Sequence, residues 1–201
     1  MDKINAEKHL RKSKLYMLYE SCKNPEIQQE ILINYKKLLT ETTITDRNIV
    51  YQNRYYIYPS IAIYQTFQKY DYEKSEILQQ IEAEILATGE GMKHTFAKVG
   101  KLKFFFLLFK KMCFISTKTS YKKPYFDMRW TDHGKDKIAW ECHKCHYHDE
   151  FTKHHFPELT KIFCRLDDVM YGSIPTATWA RTKTIGDGDA LCDFCFIKNN
   201  N

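Results

Sequence analysis

Residues 140–196 hold five of the chain's seven cysteines, the acidic pairs Asp149-Glu150 and Asp167-Asp168, and the arginines Arg165 and Arg181. Thiols serve as nucleophiles or metal ligands, and carboxylates serve as general bases. A guanidinium can grip an anionic substrate through a forked pair of hydrogen bonds. The rest of the chain offers little of this chemistry, so the C-terminal third is expected to carry the function.

Two arrangements of these residues compete. Cys142-x-x-Cys145 and Cys192-x-x-Cys195 have the spacing of a four-thiolate zinc site, with His143, His146 and His148 nearby. Both pairs sit in strand-like sequence, where residues three apart point to opposite faces. No cofactor is therefore the first expectation, with zinc on Cys142, Cys145, Cys192 and Cys195 as the alternative. The other arrangement is a catalytic thiol. Cys164 has Asp167 at i+3 and Asp168 at i+4 on one helical surface. A carboxylate beside a thiol opposes thiolate formation unless Arg181 or a histidine balances the charge. Each residue also has a plain structural role open to it. Cys22 and Cys113 read as small buried hydrophobes and Asp167-Asp168 as a solvated helix face. Arg181 reads as a tie between strand and helix, Gly186 and Gly188 as turn residues.

The elements that must position these groups fall into two halves. Residues 5–22 space their apolar positions as a helix. Asn24-Pro25 opens a second helix through Leu39, with Ile27, Ile31 and Tyr35 at four-residue steps. Pro59-Ser60 starts another, and a further helix runs over 72–88 until Gly89-Glu-Gly91 ends it. Beyond Lys118 the sequence turns to short aromatic-rich strands at 125–131 and 137–143, joined by a turn at 132–136. Helix 157–170 follows, then a closing strand pair, 175–185 and 190–198. Residues 146 and 148 are taken as strand positions sharing one face. The result is an α+β fold, a helical N-terminal half packed on a small antiparallel sheet of β-β-α-β-β order. Residues 1–45 form a helical extension and 46–201 an α+β domain, helical over 46–118, with sheet and site over 119–198.

Bulk properties narrow the classes. The chain has 201 residues, 15% of them aromatic, enough to bury a core without disulfides. A formal charge of +6 comes from dispersed lysines and no arginine stripe, so no nucleic-acid partner is expected. The charged segment from Met1 to Lys14 does not read as a signal peptide. The run Phe104-Phe-Phe-Leu-Leu-Phe109 is far short of the ~20 residues that span a bilayer. Its flanking Lys101, Lys103, Lys110 and Lys111 also permit a membrane-surface reading, with a core helix turn preferred and no stable membrane insertion expected. Seven cysteines without scaffold-like spacing suit reduced thiols in the cytoplasm.

Taken in order, Cys145-His-Tyr-His148, Pro157-Glu-Leu-Thr160, Phe163-Cys-Arg-Leu-Asp-Asp168, Arg181-Thr-Lys-Thr-Ile-Gly186 and Cys192-Asp-Phe194 resemble the L-2-amino-thiazoline-4-carboxylic acid hydrolase family. Ile57-Tyr-Pro-Ser-Ile-Ala-Ile-Tyr64 is similar to that family's helical entry, and the resemblance spans roughly residues 50–197. One departure is Cys195, where an arginine often stands. The resemblance implies a hydrolase that opens a thiazoline ring to N-carbamoyl-cysteine. It implies Asp167 or Asp168 as general base, Cys164 or Cys192 as a covalent nucleophile, and Arg181 as clamp for the substrate carboxylate. Cys145 and His148 would contact substrate, and Asp193 would orient Arg181 or a histidine. The partner is then a small molecule, with oligomeric state open. A non-enzymatic small-molecule or lipid-binding domain is the rival, and a zinc-stabilised interaction module stands behind it.

Overall fold

The computed structural model describes residues 5–102 and 104–199. The expected lysine flank at Lys103 and the start of the charged N-terminal segment lie outside the described residues. The first stretch forms two short helices, α1 (Ala6–Leu10) and α2 (Tyr16–Ser21), rather than the single one expected. The chain turns between them, and the Lys14 N–H leaves the local ladder to donate to the Tyr55 carbonyl at 3.0 Å. Helix α3 (Pro25–Glu41) begins as read, with the Asn24 side chain accepting from the Glu26 and Ile27 N–H groups.

Pro59 stands in the first turn of a helix, as read, but that helix has no free start. It lies inside one continuous run, α4 (Arg47–Gln52), a π-helical turn (Asn53–Ile57) and α5 (Tyr58–Lys69). A proline lacks an N–H and its ring crowds the carbonyl four residues earlier. The wide turn relieves this, because Tyr58 N–H reaches back five residues to Asn53. The freed carbonyls find outside donors, the Tyr35 hydroxyl on Arg54 at 2.7 Å and Lys14 N–H on Tyr55.

Helix α6 (Lys74–Val99) likewise runs through Gly89 and Gly91, where a stop was expected. Gly89 faces the helix Leu159–Tyr171 (α9), and a Cβ there would stand 2.7 Å from Leu166 Cδ1. Gly89 thus permits close helix packing instead of termination. Leu10, Leu15, Ile27 and Ile31 of the expected extension are buried in the same cluster as Ile61, Tyr64, Ile81 and Phe163.

Helix α7 (Phe105–Thr119) leads to the hairpin β1 (Asp127–His133) and β2 (Lys137–Lys144). A strand reading for His146 and His148 is overturned: the chain leaves β2 at Cys145 and forms α8 (His146–Lys153). His146, Glu150 and Phe151 turn inward at helical spacing. After α9 come β3 (Ala177–Trp179) and β4 (Cys192–Lys198), completing an antiparallel sheet of order β1-β2-β4-β3. The strand expected over 175–185 shrinks to three residues because the Thr182 and Lys183 N–H groups are taken by the Asp193 carboxylate. The α+β class holds, with α8 added. On one sheet face Cys142 pairs with Cys192, Trp140 with Phe194 and Ile138 with Phe196. That face packs on Phe105, Phe106 and Phe109 of α7.

Gly89→Leu should therefore destabilise the chain by about 1–3 kcal/mol through overpacking. Gly91→Ala, with nothing within 4 Å of its Cβ, should stabilise it by about 0.5–1 kcal/mol. Urea denaturation of both variants measures the contrast.

Candidate functional site

A cavity of about 170 Å³ opens between α7, α9 and the Cys142–Cys192 end of the sheet. Cys142, Cys145, Cys164, Cys192 and Asp167 line it, among aromatic walls that include Tyr121, Trp140, Tyr147 and Phe194. Asp167 is its one carboxylate, and no Lys, Arg or His lies among the described residues that line it. Burial pushes Tyr147 well above its ordinary value, so its phenol is neutral.

Helix α9 supplies the two central groups one turn apart. The Cys164 thiol is lowered, first by the Cys192 thiol, which hydrogen-bonds to its sulfur. Burial opposes this, while the Gly186 N–H, the Arg181 charge and the Thr184 side chain add to it. The same contact with Cys164, together with burial, drives Cys192 upward, so the pair divides into a donor thiol and an acceptor thiolate. The Ile185 N–H donates to the Cys192 sulfur at 3.3 Å. Both backbone donors come from a 3₁₀ turn (Ile185–Asp187) laid across α9. Gly186 is essential to that approach. A Cβ there would meet Cys164 Sγ at 2.8 Å and the Lys161 backbone at 2.9 Å. Gly188, at φ +98°, then reverses the chain.

Asp167 moves the other way, pushed up to about 7 by burial against the cavity, partly countered by Arg181 and reinforced by Cys164 and Asp168. Its accessible surface, 27% of the side chain, faces the cavity. The Arg181 side chain is only 4% exposed and its guanidinium has three acceptors: Asp168 at 2.6 Å, the Cys164 carbonyl at 2.8 Å and Asp167 at 3.3 Å. It sits over the Trp179 and Phe194 rings.

The structure thus gathers Cys145, Cys164, Asp167 and Cys192, and adds Cys142. It does not bring Asp168, Arg181, His148 or Asp193 to the cavity wall. Asp168 takes Arg181 and the Trp179 indole N–H (2.8 Å) on the outer side of α9. His148 Nδ1 lies 3.4 Å from the Thr160 hydroxyl. Asp193 accepts from the Thr182 hydroxyl at 2.6 Å and from two backbone N–H groups. It binds neither Arg181 nor a histidine, but pins the segment that follows Arg181. The four-thiolate set does not form: on β4, Cys195 points away from Cys192, and Cys164 takes its place in the cluster. No group of three or more His, Cys, Asp or Glu among the described residues is arranged to hold a metal ion. His146 is a packing residue, buried with Nε2–H on Asn53 Oδ1 at 2.7 Å and lowered to about 4 by that burial. Sequence reasoning missed Gly186, Tyr121 and Tyr147. A glycine between Ile185 and Asp187 was legible as a turn, but not as an opening onto a sulfur atom.

Residues 51–196 match the family model described as L-2-amino-thiazoline-4-carboxylic acid hydrolase. No curated protein and no solved structure matches the chain.

Two outcomes follow for this site. Asp167 binds its proton more tightly folded than unfolded, so its contribution to stability is full below about pH 4 and is lost as pH rises toward 7. Unfolding free energies measured across that window should fall with pH in the parent chain, with a shallower slope in Asp167→Asn. Gly186→Ala should lift the thiol midpoint of Cys164, read as the pH dependence of its alkylation.

Proposed function

Since the chain belongs to the L-2-amino-thiazoline-4-carboxylic acid hydrolase family, we propose that its cavity opens a small sulfur-containing cyclic amidine by hydrolysis. L-2-amino-thiazoline-4-carboxylate is the substrate to test first. The observation that carries this reading is the opposed shift of two neighbours on α9, a thiol lowered and a carboxyl raised, both on one cavity. Groups driven apart in this way supply a nucleophile and a proton donor near neutral pH.

The Cys164 thiolate attacks the ring carbon between nitrogen and sulfur. That carbon's bond to the ring sulfur breaks, and Asp167 gives up its proton, so the ring opens to a free thiol and an isothiourea on Cys164. Water then adds to the same carbon and the bond to Cys164 breaks. The water oxygen becomes the carbonyl of the N-carbamoyl product, Cys164 leaves as thiolate, and Asp167 recovers a proton. The N–H of Gly186 steadies the sulfur whenever it carries charge. Arg181 acts here as a positioning residue for Asp167, because its donors are engaged on α9.

The apolar lining favours a second reading, binding of an uncharged apolar molecule without turnover. The two separate by mass spectrometry of the reduced protein incubated with L-2-amino-thiazoline-4-carboxylate and with its decarboxylated analogue. N-carbamoyl-cysteine should form, falling at least about a hundredfold in Cys164→Ala and in Asp167→Asn while Cys195→Ala keeps its rate. Folded protein that binds either compound and releases no ring-opened product would leave the binding reading.

A further inference from the structure

Residues 91–126 carry nine of the chain's 31 Lys and Arg and none of its 25 Asp and Glu, so the remainder of the chain is formally −3. The same segment holds nine of the fourteen large apolar side chains exposed among the described residues. These two properties meet on α7. Phe105, Phe106, Phe109 and Cys113 face the core. On the opposite side Phe104 (70% exposed), Leu107, Leu108 (59%) and Ile115 (59%) follow one another at helical spacing, with Lys111 and Lys118 among them and Phe114 at the flank, against Trp130. A helix that is apolar on both sides does not suit water on one of them.

We propose that α7 docks this protein on an anionic lipid surface, its outward apolar side chains entering the interface and the surrounding lysines meeting lipid phosphates. Both terms of interfacial binding are present, buried apolar area and positive charge. Lys98, Lys101, Lys111 and Lys118 are exposed, Lys118 with its ammonium over the Phe114 ring, whereas Lys93, Lys122 and Lys123 already pair with Glu90, Asp46 and Asp127. A second copy of the chain is a poor occupant, because two such faces would set like charges together. Nucleic acid is a poor one as well, since Leu107, Leu108 and Ile115 would lie against phosphate rather than hydrocarbon. No helix among the described residues is long and apolar enough to cross a membrane, so the contact is peripheral. The inner flank of α7, through Met112, Cys113, Ser116 and Thr117, forms a wall of the cavity, which would then lie close to the interface.

The test is flotation of the full chain with vesicles of equimolar phosphatidylglycerol and phosphatidylcholine, against phosphatidylcholine alone. Light scattering without lipid runs in parallel. The expected result is binding to the anionic vesicles that weakens with salt. Each lysine contributes about fivefold to partitioning. Lys111→Glu with Lys118→Glu should therefore lower binding at least tenfold, as should Leu108→Ser with Ile115→Ser, with thermal stability unchanged in both. Protein that stays with neither vesicle, or that binds both equally, would overturn the proposal. So would a stable dimer in light scattering that Leu108→Glu dissociates.

Discussion

A buried guanidinium organises the site. Arg181 leaves the end of β3 with almost no exposure, and a cation in that position is strongly destabilising unless every donor finds an acceptor. Its acceptors all come from α9: two carboxylates and a main-chain carbonyl. The aromatic rings of Trp179 and Phe194 hold its plane. Strand and helix are therefore fastened at one point. The segment that follows has little freedom, because Asp193 gathers the Thr182 and Lys183 N–H groups from the other side. The 3₁₀ turn is left lying across α9 at the level of Cys164.

The unequal grip of Arg181 shapes the electrostatics. Its short contact goes to Asp168, on the outer side, and the longer one to Asp167. Asp167 is left facing an apolar cavity with an incomplete counter-charge, and desolvation prevails. Cys164, one turn earlier, has what Asp167 lacks: an S–H donor from Cys192 and an N–H donor from Gly186. Two acidic groups on one helix thus shift in opposite directions without a histidine on the cavity wall. Cys142 and Cys192, paired across β2 and β4, place sulfur on the wall of the same cavity.

The core explains how so small a sheet supports this arrangement. Trp140 and Phe194 stack with their planes 6° apart, and Phe196 meets Phe109 of α7 edge-on at 4.7 Å between centroids. Such pairs add to the burial of large rings. They tie α7 to the strands that carry Cys142 and Cys192. Gly89 does the corresponding work on the other flank, letting α6 approach α9 closely. The helix bearing Cys164 and Asp167 is thereby held between a helical layer and the turn that donates to it.

Much of this was legible in residue order alone. Asn24-Pro25 announced α3, the Asp132–Asp136 turn joined two strands, and the inner face of α9 followed a 3.6-residue period, because capping, turn chemistry and amphipathicity are local properties. The concentration of thiols and carboxylates in the last third pointed to the segment that supplies Cys142, Cys145, Cys164, Asp167 and Cys192 to the cavity, though not to the wall contributed by α7. Tertiary structure decided what local rules cannot weigh. Pro59 stays inside a helix because Lys14 and Tyr35 arrive to satisfy carbonyls that a π turn releases. Gly89 and Gly186 serve neighbours far along the chain rather than their own turns. The cysteine that completes the cluster is Cys164 and not Cys195, since side-chain alternation in β4 sends one thiol out while a distant helix brings the other in. Which acid faces the cavity is likewise settled by Arg181, at Asp167, through a contact across fourteen residues that no sequence period encodes.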